Sequence, residues 1–273
     1  MRYALVSLLA LATLVLPVLA GGNPVAADDL AEPPAKPFQA FEWRCVGPHV
    51  GERGCTVAVH PTDKNVFFFG HSGGGAWKTE DNGQYWVPIT DGQIGAGPVG
   101  ALAVSPSNPD VIYLGTGEPQ LRDCVSWGDG MYKSTDGGKT WSHIGLENSR
   151  HISRVRIHPT NPDLVYVSVI GNPFGPSQDR GVYRTKDGGK TWEQVLFKHE
   201  QAGAIDLVLC DHDPSTLYAS TFEIFRRTWG LKAGGPNSGI FRSTDGGDTW
   251  TELTRNDGLP PGDWGRVGLA HSK

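Results

Sequence analysis

No run of five like charges occurs in the 273 residues, and 24 basic against 29 acidic side chains leave a net charge of -5. A polyanion-binding surface needs clustered lysine and arginine, so nucleic acid is excluded as a partner. The nine histidines and four cysteines form no C-x-x-C, no H-E-x-x-H and no mixed cluster, which leaves a metal site without support. The phosphate-loop pattern is missing too, and no cofactor is expected. Long apolar runs are confined to Ala4 to Leu16, shorter than the ~20 residues that cross a membrane. Long helices are also excluded, because 37 glycines and 20 prolines make up about a fifth of the chain, against a usual ~12%, and are spread along it.

Arg2, the apolar run, Pro17 and Val18-Leu19-Ala20 fit a secretory signal over residues 1–20, with a second possible cut after Val25-Ala26-Ala27 and an uncleaved anchor as the alternative. Residues 21–40 read as a Pro-rich, disordered lead-in. The mature chain is therefore expected to be secreted or periplasmic, where disulfides persist. Only Cys45 and Cys55 are close in sequence, and their spacing leaves bridged and reduced states equally open; Cys124 and Cys210 read as unpaired.

What the chain has in abundance is one repeated segment: Lys78-Thr-Glu-Asp-Asn-Gly-Gln-Tyr-Trp86, Lys133-Ser-Thr-Asp-Gly-Gly-Lys-Thr-Trp141, Arg184-Thr-Lys-Asp-Gly-Gly-Lys-Thr-Trp192 and Arg242-Ser-Thr-Asp-Gly-Gly-Asp-Thr-Trp250. Asp81, Asp136, Asp187 and Asp245 can fold back onto turn amides, glycine permits the positive φ a tight turn needs, and Trp86, Trp141, Trp192 and Trp250 anchor each hairpin. Asn82 and Tyr85 depart from the pattern and mark a looser first copy. Upstream of each copy lie two strand-like runs joined by a Pro/Asn/Asp turn, such as Ala101 to Val104 and Val111 to Leu114. A third strand precedes each Asp and the Trp opens a fourth. Four antiparallel strands repeating every 51 to 58 residues describe the blade of a β-propeller, an all-β fold.

Ser134-x-Asp136-x-Gly138-x-Thr140-Trp141 and its mates resemble the Asp-box, or BNR, repeat of sialidases, xyloglucanases and sortilin-type propellers, over about residues 41–273. Trp43-Arg-x-x-Gly-Pro48, Gly73-Gly-Gly-x-Trp-Lys78, Gly115-Thr-Gly-Glu118, Ser126-Trp-Gly-Asp-Gly130 and Arg180-Gly-Val-Tyr183 are similar to large secreted bacterial proteins with sortilin-like N-terminal propellers. The resemblance implies rings of six to ten blades. Four blades plus Gly265 to Ala270, which reads as the first strand of a fifth, make only part of one. The missing blades are expected from a C-terminal continuation or from another chain.

In such a meander the Asp-boxes and the 1-2 turns share one rim, a scaffold, and the longer 2-3 loops share the other. The long loops, read as residues 116–129, 170–180 and 221–238, hold the chemistry-bearing side chains. Glu118, Asp129 and Glu223 are the weak catalytic candidates, since glycoside hydrolysis needs two carboxyl groups on either side of the scissile bond. Arg122, Trp127, His151, Arg180, Arg227 and Trp229 are the candidate ligand-binding residues, suited to stacking on sugars or to holding acidic peptides.

Resemblance to xyloglucanases also implies a catalytic Asp just before the stretch matched by His71-Ser-Gly-Gly-Gly-Ala-Trp77, and Ser72 stands in its place. The Arg-Ile-Pro signature of sialidases does not occur, and the tyrosines fall inside strands as packing residues. The expected function is therefore a binding or scaffold propeller for a glycan or peptide, part of a longer protein. The alternative is a xyloglucanase-like hydrolase module.

Overall fold

The computed structural model describes residues 53–122 and 124–271. The expected signal segment, the lead-in, Cys45 and hence the Cys45 to Cys55 bridge lie outside them. Four sheets follow one another along the chain. The first blade is β1 (Gly54–Val59), β2 (Phe67–His71), β3 (Ala76–Thr79) and β4 (Val87–Pro88). The second is β5 (Val99–Val104), β6 (Ile112–Thr116), β7 (Met131–Ser134) and β8 (Ser142–His143), and the third is β9 (Ile152–Ile157), β10 (Val165–Val169), β11 (Gly181–Thr185) and β12 (Glu193–Leu196). The fourth is β13 (Ala202–Leu209), β14 (Leu217–Arg227), β16 (Gly239–Ser243) and β17 (Thr251–Glu252), with β15 (Gly230–Ala233) pairing back onto β14. Every blade is an antiparallel meander in chain order.

The first strands lie innermost, β1 beside β5, β5 beside β9 and β9 beside β13. Each carries a register break at the same place: between Gly54 and Thr56, Val99 and Ala101, Ile152 and Arg154, and Ala204 and Asp206. A bulge that recurs in every repeat bends the inner strand as part of the fold.

Apolar side chains pack between blades. Phe68 and Ala76 of the first blade meet Leu102, Ile112, Leu114, Tyr132 and Trp141 of the second. Tyr113 and Met131 on the other face of that blade meet Val155, Ile157, Val165 and Val167 of the third. Tyr166 and Val182 then meet Leu207, Leu217 and Phe241 of the fourth.

By the repeat, the first-blade equivalents of Leu102, Val104 and Trp141 are Val57, Val59 and Trp86. Leu102 is 6% exposed, whereas Val57 is 73% and Val59 57% exposed. The four blades therefore do not close a ring, and the outward face of the first is bare. Residues 265–270 run extended beside the fourth blade, where Ser220 donates to the Val267 carbonyl at 2.8 Å and the Leu269 amide donates to Asp206 at 3.0 Å. This segment has the place of a fifth blade's first strand, without a ladder, since no second strand among the described residues pairs with it.

The repeated segments fold alike. Ser134 Oγ donates to Asp136 at 2.8 Å and accepts the Gly138 amide at 2.9 Å, while Asp136 accepts both the amide and the hydroxyl of Thr140 at 2.9 and 2.6 Å. Thr185 to Asp187 and Ser243 to Asp245 repeat this pattern. These side-chain and amide hydrogen bonds hold the Asp136, Asp187 and Asp245 carboxyls well below the usual range. In the first copy Tyr85 brings an amide but no hydroxyl to Asp81, and Asn82 supplies the left-handed residue at φ 61°. One residue per box also ties the hairpin to the 1-2 turn, as Gly137 does by donating to the Asp110 carbonyl at 3.0 Å.

The indoles go further. Trp141 Nε1 donates to Ile89 O at 2.8 Å and Trp192 Nε1 to Ile144 O at 2.7 Å, each in the preceding blade. Trp86, with no described blade before it, turns to its own Gly83 carbonyl, and Trp250 likewise to Gly247.

Candidate functional site

The long-loop rim rests on a small apolar base in which Ile170, Ile205, Phe222 and Ile224 are buried and Leu121 packs against them, joining the second, third and fourth blades. In the second blade, Thr116 Oγ1 accepts the amides of Asp129 and Gly130 at 2.8 and 2.9 Å and closes the loop on itself. The loop is then locked to the next blade connection: the Gly128 amide donates to Arg150 O at 2.7 Å. Gly117 sits at φ +94°, and a Cβ there would lie 1.9 Å from that same carbonyl, so only glycine allows the approach. Arg150 itself adopts φ 56°, costly for a side-chain-bearing residue, and lays its guanidinium 4.1 Å over the ring of Trp127. Trp127 remains 56% exposed.

The three carboxylates are all engaged internally. Glu118 is buried and accepts from Arg53 and, at 3.4 Å, from Arg122. Asp129 accepts from the Tyr132 hydroxyl at 2.7 Å, and Tyr132 is pushed up to about 12, chiefly by burial. Glu223 is buried under Lys232 and accepts the backbone and side-chain nitrogens of Asn237 at 3.1 and 2.9 Å. Burial alone would raise its pKa, but Lys232 and Asn237 outweigh burial and hold it below the usual value. A general acid requires the opposite shift. Glu118 and Asp129 belong to the second blade and Glu223 to the fourth, with the third between them.

Of the expected ligand-binding residues, Arg122, Trp127, Arg227 and Trp229 are exposed on the rim. His151 and Arg180 are instead fully buried. Burial brings His151 down to about 4, with Arg150 and Arg180 adding to the effect against the Glu118 backbone. Arg180 donates to the carbonyls of Asn172 and Gly175 and so holds the loop at 170–180, its pKa lowered to about 10 by burial. Neither is presented to a ligand. Composition suggested exposed loop charges, but these two side chains fill space beneath the loops.

The segment expected as a loop at 221–238 is largely a β-hairpin. The alternating Thr221-Phe-Glu-Ile-Phe225 continues β14, and β15 pairs with it from Ile224 opposite Ala233 to Arg227 opposite Gly230. That alternation was the available signal. Arg150, beside His151 in a blade connection, is legible in the sequence as a rim residue, whereas Arg53, Phe225 and Lys232 are not, because their roles depend on neighbours from other segments.

Away from the rim, His60 Nδ1 accepts the Asp63 amide at 2.9 Å and His158 Nδ1 the Thr160 amide at 3.3 Å, as turn formers. Cys124 is exposed and Cys210 buried, neither in a disulfide. A cleft of about 430 Å³ opens between the inner strands beside Cys55, Leu102, Arg154 and Arg156. No helix among the described residues is long and apolar enough to cross a membrane.

A family model described as Sortilin-Vps10 (sortilin, neurotensin receptor 3) matches residues 129–259, the span of the second to fourth boxes. The box geometry repeats in four successive sheets. The chain has the fold of an Asp-box β-propeller. This propeller is 25% identical over 266 residues to a xyloglucanase of Paenibacillus sp, covering 86% of this chain and 24% of that protein. It is 24% identical over 213 residues to an oligoxyloglucan-reducing end-specific xyloglucanase of Emericella nidulans, covering 71% of this chain and 23% of the relative. The chain thus spans about a quarter of the length of these relatives. Among solved structures, the propeller superposes on a GH74 enzyme of Niastella koreensis with a TM-score of 0.55 at 22% identity, over 72% of this chain and 28% of that one. That likeness is one of fold.

Proposed function

We propose that this propeller is a polysaccharide-binding module, exported by its N-terminal segment, that holds a xyloglucan-like chain across the long-loop rim. One observation carries the reading: Trp127 and Trp229, 56% and 80% exposed, stand on the rim with a guanidinium stacked on each, while every candidate carboxylate there is tied into internal bonds. Exposed indoles of this kind present flat apolar faces to the C–H faces of sugars. Similarity to xyloglucanases supports a neutral glucan as the ligand class. Isothermal titration of the full chain with xyloglucan oligosaccharides tests this. Binding without release of reducing ends is expected, and Trp127→Ala or Trp229→Ala should weaken it about five- to thirty-fold, equivalent to about 1 to 2 kcal/mol each. No binding, or no effect of either change, would refute it.

Similarity to xyloglucanases also supports a second reading, a hydrolase module. Reducing-sugar release that disappears in Glu118→Gln or Glu223→Gln with binding intact would favour it. The bare face of the first blade, with Val57 and Val59 exposed, is where we place the next blade of a larger ring, supplied by a longer chain or by a second copy.

A further inference from the structure

The hairpin of the fourth blade has no counterpart in the other three. It is anchored at its base, where the Arg226 amide donates to Pro173 O at 2.7 Å and the Ile224 amide to Gln201 O at 3.0 Å. Strand alternation and the register of β14 with β15 set Glu223, Phe225, Arg227 and Lys232 on one face. This face bounds a hollow of about 390 Å³ whose wall also includes Gln201, Trp229 and Leu231. Of the two cations in its lining, Lys232 is already paired with the buried Glu223. Arg227 is then the surplus charge. Its guanidinium lies 4.4 Å over Phe225 and 5.6 Å from Trp229, and no ion pair or hydrogen bond among the described residues occupies its N–H edge. Stacking fixes the plane of the guanidinium without consuming its donors.

We infer that this hollow is a subsite for an acidic sugar, a uronate whose ring lies against the open face of Trp229 and whose carboxylate is held by Arg227. A stacked fork of donors beside an apolar wall matches a carboxylate attached to a sugar ring, and no unpaired carboxylate in the lining opposes it. The inference rests on the reading of this rim as a saccharide-binding surface and adds a charged residue to its ligand.

Titration of the full chain with oligogalacturonides and, in parallel, with neutral xyloglucan oligosaccharides tests it, in the wild type, Arg227→Gln, Arg227→Lys and Trp229→Ala. Arg227 is exposed at a hairpin tip, and circular dichroism of each variant checks that the fold persists. The wild type is expected to bind the uronate, and Arg227→Gln to lower the ratio of uronate to xyloglucan affinity about tenfold or more, with part of the loss returned by Arg227→Lys. Trp229→Ala should weaken both ligands. If xyloglucan binds while the uronate does not, or if Arg227→Gln leaves the ratio unchanged, the subsite is refuted and the rim reading stands. An equal loss of uronate affinity in Lys139→Gln, on the opposite rim, would mean diffuse attraction and also refute it. If neither saccharide binds, both fall.

Discussion

Trp141 and Trp86 occupy the same position of the repeat and differ in what lies before them, which makes a paired substitution informative. Trp141 is 8% exposed, packs among Val66, Phe68, Ile112 and Leu114, and donates its indole N–H to the first blade at Ile89. Replacing it with alanine removes a large buried side chain, leaves a cavity at the joint between blades and strips Ile89 O of its main partner. Together these should cost about 3 to 5 kcal/mol. Trp86 makes an edge contact with Phe69, ring centres 4.6 Å apart, and bonds only within its own turn. With no blade against it, Trp86→Ala should cost about 1 kcal/mol. Urea unfolding followed by far-ultraviolet circular dichroism, at a concentration where light scattering reports a monomer, measures both. For a domain of this size the first change should lower Tm by roughly 10 °C and the second by a few degrees. Equal losses would refute the claim that coverage by a neighbouring blade, rather than the box itself, gives Trp141 its weight.

Two further predictions follow from the same geometry. His151 is buried with a pKa near 4, below the usual 6.5, so the unfolded chain binds its proton more tightly than the folded one; stability is complete above pH about 6.5 and falls by up to about 3 kcal/mol as pH drops towards 4. His151→Leu should flatten that part of the curve of urea midpoint against pH, and an unchanged slope would contradict the assignment. Tyr85→Thr gives Asp81 the hydroxyl that its three counterparts receive and should raise Tm in a calorimetric scan; a fall would mean that the tyrosine ring contributes more to the first blade than the completed box.

The blades were legible in the sequence because local rules write them: a Pro/Asn/Asp turn, alternating apolar strands, an Asp and a glycine for the tight turn, and a Trp to anchor it, four times over. Even the weak first copy was visible in Asn82 and Tyr85, and the structure gives the reason in a missing hydroxyl bond to Asp81. The recurrent bulge at Cys55, Gly100, Ser153 and Ile205 was not visible, because four different residue types occupy it and the register break belongs to the ladder. The site was legible only as a set of loops. Which charges point outward depends on space between segments far apart in sequence: Arg180 and Arg227 look alike in a string of letters, yet one fills the underside of a loop and the other stacks in the open on two aromatic rings.

The two rims differ for a physical reason. On the box rim each box carboxylate accepts hydrogen bonds from its own turn, and one more hydrogen bond ties that turn to its neighbour, so every blade end is finished locally. On the other rim the loops are finished by partners from other segments: Gly128 by Arg150, Arg226 by Pro173, Glu118 by Arg53. Such closure fixes the backbone while consuming carboxylates and carbonyls, and it leaves the indoles of Trp127 and Trp229 largely exposed, with the guanidinium groups of Arg150 and Arg227 over them. Carboxylates tied into internal bonds and indoles left exposed are the two features on which the proposed saccharide-binding reading rests, and the open donors of Arg227 are the one on which the proposed uronate subsite rests.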